Sequence, residues 1–456
     1  MIAGVTPAFR TNLEPLAPGA GRQAPPDRAA VDPAPAAAPD PASAPPVALY
    51  LHVPFCRSLC PYCDFVVIAG AAAFGPRSRM GGYLDAVERE IDLRAAIADA
   101  AHGALGAAND GAANDGATRA PLETLYLGGG TPSLVPPERL AALIDRVRDR
   151  FGLRADAEVT LECNPGADER GDLAAAVQAG VTRVSIGAQS MDAAALRDLG
   201  RRHGPEDVAE CIAAARAAGA QSVSIDLLAD LPNVSLESWA DSLESALALA
   251  PDHVSVYALT LATSGADDGD ANVDDRRATP AGALAWRRRA AAQQDEERGA
   301  QELELLDARL PAAGLDWYEI SNWARAGHAS RHNRLYWERA SVEAVGPGAH
   351  AFDGSTRRWN SADLDAWESA LMSGSLPPGG AAPPMDERDA VAESLVLSLR
   401  MVSGVDRTTA HDAGFGEAVD WGEANGLLEP HPVEAGRVRL TLRGRLLSNE
   451  LFARIV

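Results

Sequence analysis

Three of the five cysteines fall in one short stretch, YLHVPFCRSLCPYCDF, which begins at Tyr50. Cys56, Cys60 and Cys63 are spaced C-x3-C-x2-C. Cysteines this close cannot staple distant parts of a long chain. They read as a metal or redox site in a reducing compartment. A structural zinc site wants four ligands, usually from two separated pairs, and the chain has no second C-x2-C. A thioredoxin-like motif uses one C-x2-C and leaves Cys56 unexplained. A fully ligated cubane iron–sulfur cluster takes four thiolates. Three thiolates leave one iron open, and an open coordination position marks a site that receives substrate or cofactor. The spacing therefore favours a cluster over zinc or three unrelated thiols. Cys163 and Cys211 stand apart in the sequence and read as buried structural thiols.

The elements that must position these residues alternate. The strand-like runs are VALYLHV, ETLYLGG, EVTLECNP, RVSIGAQS, SVSIDLLADLP and HVSVYALTL. Between them lie helical stretches such as PERLAALIDRVRDRF, EDVAECIAAARAAGA and SLESWADSLESALALA. Regular βα alternation predicts an α/β fold with a parallel sheet. Six units are fewer than the eight of a closed (β/α)8 barrel, so a partial, open barrel and a doubly wound sheet both fit. Ligands gather at the C-terminal ends of the strands in both architectures. The glycine run of LGGGTPS reads either as a plain tight turn, the commoner case for Gly before Thr-Pro, or as a turn whose backbone approaches a ligand closely. Glu162 ends the third run, Gln189 the fourth, and Asp226 lies near the end of the fifth, with Arg201 following in LGRRH. A single charged residue is usually just solvated surface. Several on one face of successive βα units make a candidate site.

At this point the sequence resembles the radical S-adenosylmethionine superfamily, whose signature is C-x3-C-x2-C after a first strand. The surrounding residues are similar to its coproporphyrinogen-oxidase-like branch, and within that to haem chaperones. The resemblance runs from about Val47 to Val456 through YEISNWARAGHASRHN, GPGAHAF and LRGRLLSNELF, apart from loop insertions. It implies a partial (βα)6 TIM-like barrel with a C-terminal α+β, winged-helix-like accessory domain. It also implies a [4Fe-4S] cluster on Cys56, Cys60 and Cys63, with S-adenosylmethionine chelating the open iron and reductively cleavable to a 5′-deoxyadenosyl radical. Tyr50, Gly129, Gly130, Thr131, Glu162, Gln189, Arg201 and Asp226 match positions that hold S-adenosylmethionine. His332, Asn333 and Tyr336 match an H-N-x-x-Y haem motif. Neutral imidazole suits iron, and its second ring nitrogen needs a partner to fix the tautomer. The implied function is haem delivery to an acceptor haemoprotein, with an electron donor if S-adenosylmethionine is cleaved. The alternatives are an oxygen-independent coproporphyrinogen III oxidase and a radical methyltransferase. The oxidases carry a further Cys where this chain has Phe65, and a structured N-terminal segment where this one is low in complexity. Both points favour the chaperone branch. The chain departs from the family pattern at Ala229, Asp230, Val234, Ala262 and Ala344, which bears on a second S-adenosylmethionine site.

Composition sets the frame. The chain has 456 residues, 46% hydrophobic and 23% charged, which is enough for two or three units with real cores. A formal net charge of -23 argues against nucleic acid or an anionic membrane surface as a general partner. No run of about 18 uncharged apolar residues spans a bilayer, which leaves at most peripheral contact, and the N-terminus lacks the pattern of a secretory signal. A cytoplasmic protein is expected. Residues 1–46, rich in Pro and Ala, read as a disordered tail, residues 47–294 as the barrel core, 295–380 as an extension carrying the haem motif, and 381–456 as the accessory domain. The repetitive stretch between Gly103 and Ala120 and the acidic one from Thr263 read as surface loops.

Overall fold

The computed structural model describes residues 43–75, 78–105, 118–261 and 281–456. Most of the expected tail, the centres of both expected loops and Ala262 lie outside them. Six strands follow one another as the alternation predicts: β1 (Ala48–Val53), β2 (Leu122–Gly129), β3 (Leu153–Cys163), β4 (Arg183–Gln189), β5 (Ser222–Ala229) and β6 (His253–Ala258). They are hydrogen-bonded in that spatial order and all pair in parallel. A doubly wound sheet reverses its strand order at a switch point. No reversal occurs here, and the architecture is a partial (βα)6 barrel. On the β6 side, β7 (Asp316–Glu319) and β8 (Asn322–Ala324) form a hairpin with β8 antiparallel to β6. On the β1 side, β9 (Val342–Val345) is parallel to β1, and β10 (His350–Phe352), β11 (Arg357–Asn360) and β12 (Gly379–Ala381) continue antiparallel. The twelve-stranded sheet stays open, with β7 at one edge and β12 at the other.

The strand alternation has a consequence for function. Val223, Ile225 and Leu227 of β5 join the apolar core that the helices cover, as do Val184 and Ile186 of β4. The residues between them face inward and are polar: Ser224 and Asp226 on β5, Ser185 on β4, Ser255 on β6. Register aligns them, with Ser185 opposite Ser224, Asp226 opposite Ser255, and Ser255 opposite Asn322. A closed barrel fills its inside with branched aliphatics. This one keeps its hydrophobic core between sheet and helices and lines its inside with hydrogen-bonding groups. The helices bury one stripe each. In Pro137–Phe151 the buried Leu140, Leu143, Ile144, Val147 and Phe151 recur at helical spacing, and Gly152 ends the helix at φ 74°.

The C-terminal region has its own core, with Leu399, Val419, Leu427, Val438, Leu451 and Phe452 buried together. It combines helices with a three-stranded sheet of β13 (Val405–Asp406), β14 (Leu428–Pro430) and β15 (Arg437–Leu440), in the order β13-β15-β14. The sequence GRVRLTLRGRLLSNELFARIV reads as a hairpin followed by a helix. The structure corrects this. Only β15 falls within that stretch, its hairpin partner β14 precedes it, and two short helices, Leu442–Leu446 and Ser448–Phe452, follow. The second run, TLRGR, lacks a partner strand and coils as soon as Thr441 caps the next helix through Gly444 N.

Candidate functional site

The cysteine loop leaves β1 at Val53 and is fastened from several directions. Gly130 N donates to Val53 O and Thr131 N to Phe55 O, both at 2.8 Å. Arg287 Nε donates to Pro61 O at 2.7 Å and its Nη2 to Cys63 O at 2.9 Å. Thr131 Oγ1 donates to Cys56 Sγ at 3.5 Å, and Arg201 Nη1 lies 3.7 Å from Cys60 Sγ. Burial pushes the Cys56 thiol up to about 11 and the Cys63 thiol to about 12. Such thiols stay protonated at neutral pH until a metal displaces the proton. Among the described residues no group of three or more His, Cys, Asp or Glu side chains stands ready to hold a metal ion. A cubane spreads its thiolates over separate irons, so its ligands need not meet at one point. Three thiols around one cavity, with hydrogen-bond donors on two of the sulfurs, fit that group.

Every candidate residue named above, Thr131 excepted, lines a single cavity of about 530 Å³. Thr131 is buried behind it and accepts from Asn164 Nδ2 at 3.1 Å. Asn164 Oδ1 in turn accepts from Arg201 at 2.7 Å, and Arg201 also donates to Gly187 O at 2.8 Å. Glu162 accepts from Tyr126 Oη at 2.7 Å and from Gly129 N at 2.9 Å. Its burial pushes the carboxyl up to about 7, against the pull of those two donors. Gly129 has φ 110°, and a Cβ there would lie 2.4 Å from the His52 ring, so glycine is needed for both reasons. Gln189 ends β4 in the left-handed region at φ 67°, the kind of strain that recurs at functional sites. Asp226 is the fifth of eight residues in β5 and so sits deeper in the barrel than its motif suggests. Ser185 donates to it at 2.9 Å and Ser224 at 3.2 Å, while burial raises its pKa.

His332 lies in the short helix Arg331–Trp337, which packs beside β2. Its side chain is buried, with Nδ1 2.7 Å from Thr124 Oγ1 and Nε2 3.3 Å from Tyr336 Oη. Burial lowers its pKa to about 3, so the imidazole is neutral and suited to a metal. Thr124 on Nδ1 is the partner that fixes the tautomer, and Tyr336 sits beside Nε2. The Asn333 backbone N donates to Ser330 Oγ at 3.3 Å, the N-cap of the helix.

Sequence reasoning missed Thr124, Tyr126, Asn164 and His52. Thr124 and Tyr126 share the inward face of β2, a signal that alternation carries. His52 Nε2 donates to Val66 O at 2.8 Å, so its Nδ1 accepts from Tyr50 Oη at 3.0 Å, tying the far end of the cysteine loop to the candidate cofactor tyrosine. Arg287 gave no local signal. Cys163 and Cys211 are buried as expected, but not apart: their sulfurs are 3.6 Å from each other. Of the departures, Ala229 and Val234 are buried. Asp230 Oδ1 pairs with Arg298 at 2.5 Å outside the cavity lining. Ala344 packs beside Tyr50.

Residues 50–246 match the model of the radical SAM superfamily. Over 409 residues the chain is 37% identical to the heme chaperone HemW of Mycobacterium tuberculosis, covering 89% of this chain and 93% of that protein. This chain belongs to the HemW family. The Escherichia coli heme chaperone HemW is 33% identical over 306 residues, 67% of this chain and 70% of its own. The fold is also that of the solved E. coli coproporphyrinogen III oxidase HemN, a radical SAM enzyme, at TM-score 0.71 and 21% identity over 91% of each chain. Membership of the radical SAM superfamily implies a [4Fe-4S] cluster and S-adenosylmethionine. Among the described residues no helix is long and apolar enough to cross a membrane.

Proposed function

We propose that this chain binds haem and delivers it to acceptor haemoproteins, holding a [4Fe-4S] cluster on Cys56, Cys60 and Cys63 and S-adenosylmethionine beside it. The observation that carries the reading is the neutral, buried His332 lining the same cavity as the cysteine loop in a HemW-family chain. When bound, the cluster supplies an electron and an open iron to which S-adenosylmethionine chelates. The chain's own residues do the rest. Arg201 and Thr131 donate toward the cysteine sulfurs and disperse their charge. Glu162, at the end of β3, offers a carboxylate to the cationic groups of S-adenosylmethionine, and Gly129 lets backbone approach them. Gly130, Tyr50, Gln189 and Asp226 complete that pocket. His332 would ligate the haem iron through Nε2, with Thr124 holding Nδ1 and Tyr336 3.3 Å from Nε2. Residues 47–294 form the barrel core in this reading, 295–380 supply the haem helix and 381–456 the accessory unit, in a cytoplasmic setting.

The test is a haem titration of the anaerobically reconstituted protein, followed in the Soret band. Saturable binding is expected, with loss of the band or a shift in its position in His332→Ala. Cys60→Ser is expected to lose the cluster's visible absorption and keep haem binding. Absence of binding by the wild type would overturn the reading. Conversion of coproporphyrinogen III to protoporphyrinogen with reductant and S-adenosylmethionine would establish the oxidase in its place.

A further inference from the structure

One pole of the cavity is built by side chains that the reading above leaves without a role. Arg400, Trp337, Glu319 and Asn322 all line it. Arg400 is 5% exposed, Glu319 0% and Asn322 2%. The Arg400 guanidinium lies over the Trp337 indole, 4.4 Å from the ring centroid. Four polar atoms at this pole have no hydrogen-bond partner in the protein, the donors Arg400 Nε and Trp337 Nε1 and the acceptors Glu319 Oε2 and Asn322 Oδ1. Buried polar groups in folded proteins are nearly always paired, so unpaired ones that line a cavity point to a ligand or to water.

The pole is rigidly placed. Arg400 ends the helix Glu387–Arg400, and its carbonyl accepts from Ile320 N at 3.1 Å, while Val402 N donates to Tyr318 O at 2.9 Å. The C-terminal region therefore inserts its arginine into the barrel at the β7–β8 turn. Guanidinium and indole can only donate, so the group that completes them is an acceptor. The planar fork of arginine favours a carboxylate. Burial raises the pKa of the neighbouring Glu319 carboxyl, against the pull of Arg400 and of the Asn322 and Ser321 donors.

Trp337 is five residues beyond His332 on one helix, a rise of about 7.5 Å. The walls carry Leu59, Phe65 and Tyr257, three of the large hydrophobic side chains that remain exposed in the described residues. An apolar wall, a neutral imidazole and a cationic pole suit a flat metal complex with carboxylates at its edge. We infer that Arg400 and the Trp337 indole N–H form a carboxylate subsite that receives a propionate of the bound tetrapyrrole. The inference rests on the haem reading above and adds to it the group that orients the cargo.

The test compares haem with its dimethyl ester in Soret titrations of the full chain. The wild type is expected to bind haem at least about tenfold more tightly than the ester, the worth of one charged hydrogen bond. Arg400→Gln and Trp337→Phe should weaken haem and leave the ester unchanged, shrinking that ratio toward one. Trp337→Phe keeps the stacking surface and deletes only the N–H, so it carries the test if Arg400→Gln does not fold. Equal affinities for haem and ester in the wild type would overturn the subsite while leaving haem binding intact, with the donors serving water alone. Equal weakening of both ligands in the variants would also overturn it, by reducing the pole to a structural element. Failure of the wild type to bind either ligand would overturn both readings together.

Discussion

Glu162 is where residue chemistry makes its sharpest demand. A carboxyl lifted to about 7 by burial is half neutral at physiological pH. Its ionised form is the one that attracts a cationic ligand, and that form predominates above about pH 7. S-adenosylmethionine should therefore bind more weakly at pH 6 than at pH 8, and Glu162→Gln should bind weakly with that dependence flattened. Equilibrium binding to the reconstituted protein at the two pH values checks it, and a wild type indifferent to pH would count against the role. The same lifted pKa acts on stability with a definite sign. The native state holds a proton that the unfolded chain releases near its ordinary 4.5, so this contribution falls as pH rises from there through about 7. His332 differs in kind, because burial has already removed its proton across the physiological range.

At the scale of elements, the strand ends and the short helix do the positioning. The end of β2 holds Gly129 at φ 110°, against the His52 ring, while Gly129 N reaches Glu162. Gly129→Ala brings left-handed strain and a collision with a buried imidazole. A loss of about 2–4 kcal/mol is expected in chemical denaturation, with weaker S-adenosylmethionine binding in whatever folds. Stability within about 0.5 kcal/mol of wild type would show that the strand end relaxes freely. The Arg331–Trp337 helix is only seven residues long and cannot stand by propensity alone. Ser330 caps it, and Glu158 accepts from the backbone N of Arg331 and of His332, each at 3.0 Å. A carboxylate at a helix N-terminus is electrostatically favoured, and this one fixes His332 against β2.

For the molecule as a whole, the join between the C-terminal region and the barrel matters most. Arg445, 3% exposed, pairs with Asp307 and lies 4.5 Å above the Trp317 ring. Arg445→Met keeps the apolar stem and removes the charge. It should lower stability by about 1–3 kcal/mol, since Asp307 remains partly hydrated, and should also weaken haem binding by loosening the setting of Arg400. Unfolding by circular dichroism and a Soret titration measure the two effects. Unchanged haem affinity in a destabilised variant would separate this join from the cavity.

Much of this was legible in the chain. The C-x3-C-x2-C spacing, the βα rhythm and the glycine run are local patterns, and local patterns survive in a linear sequence. They gave six strands in order and candidates that nearly all line one cavity. Strand alternation already held the polar lining, because inward residues recur every second position in SVSID and RVSIG. What local pattern could not carry was contact between distant segments. The order of strands decided for an open barrel over a doubly wound sheet, and order is a property of pairing. The partnership of Cys163 with Cys211, the bracing of the cysteine loop by Arg287 and the arrival of Arg400 beside Trp337 join residues 48, 224 and 63 or more positions apart. The sequence by itself determined which groups were present and on which face of each strand they fell. Only the folded chain decided which of them share a cavity, because side chains far apart in sequence meet through packing alone.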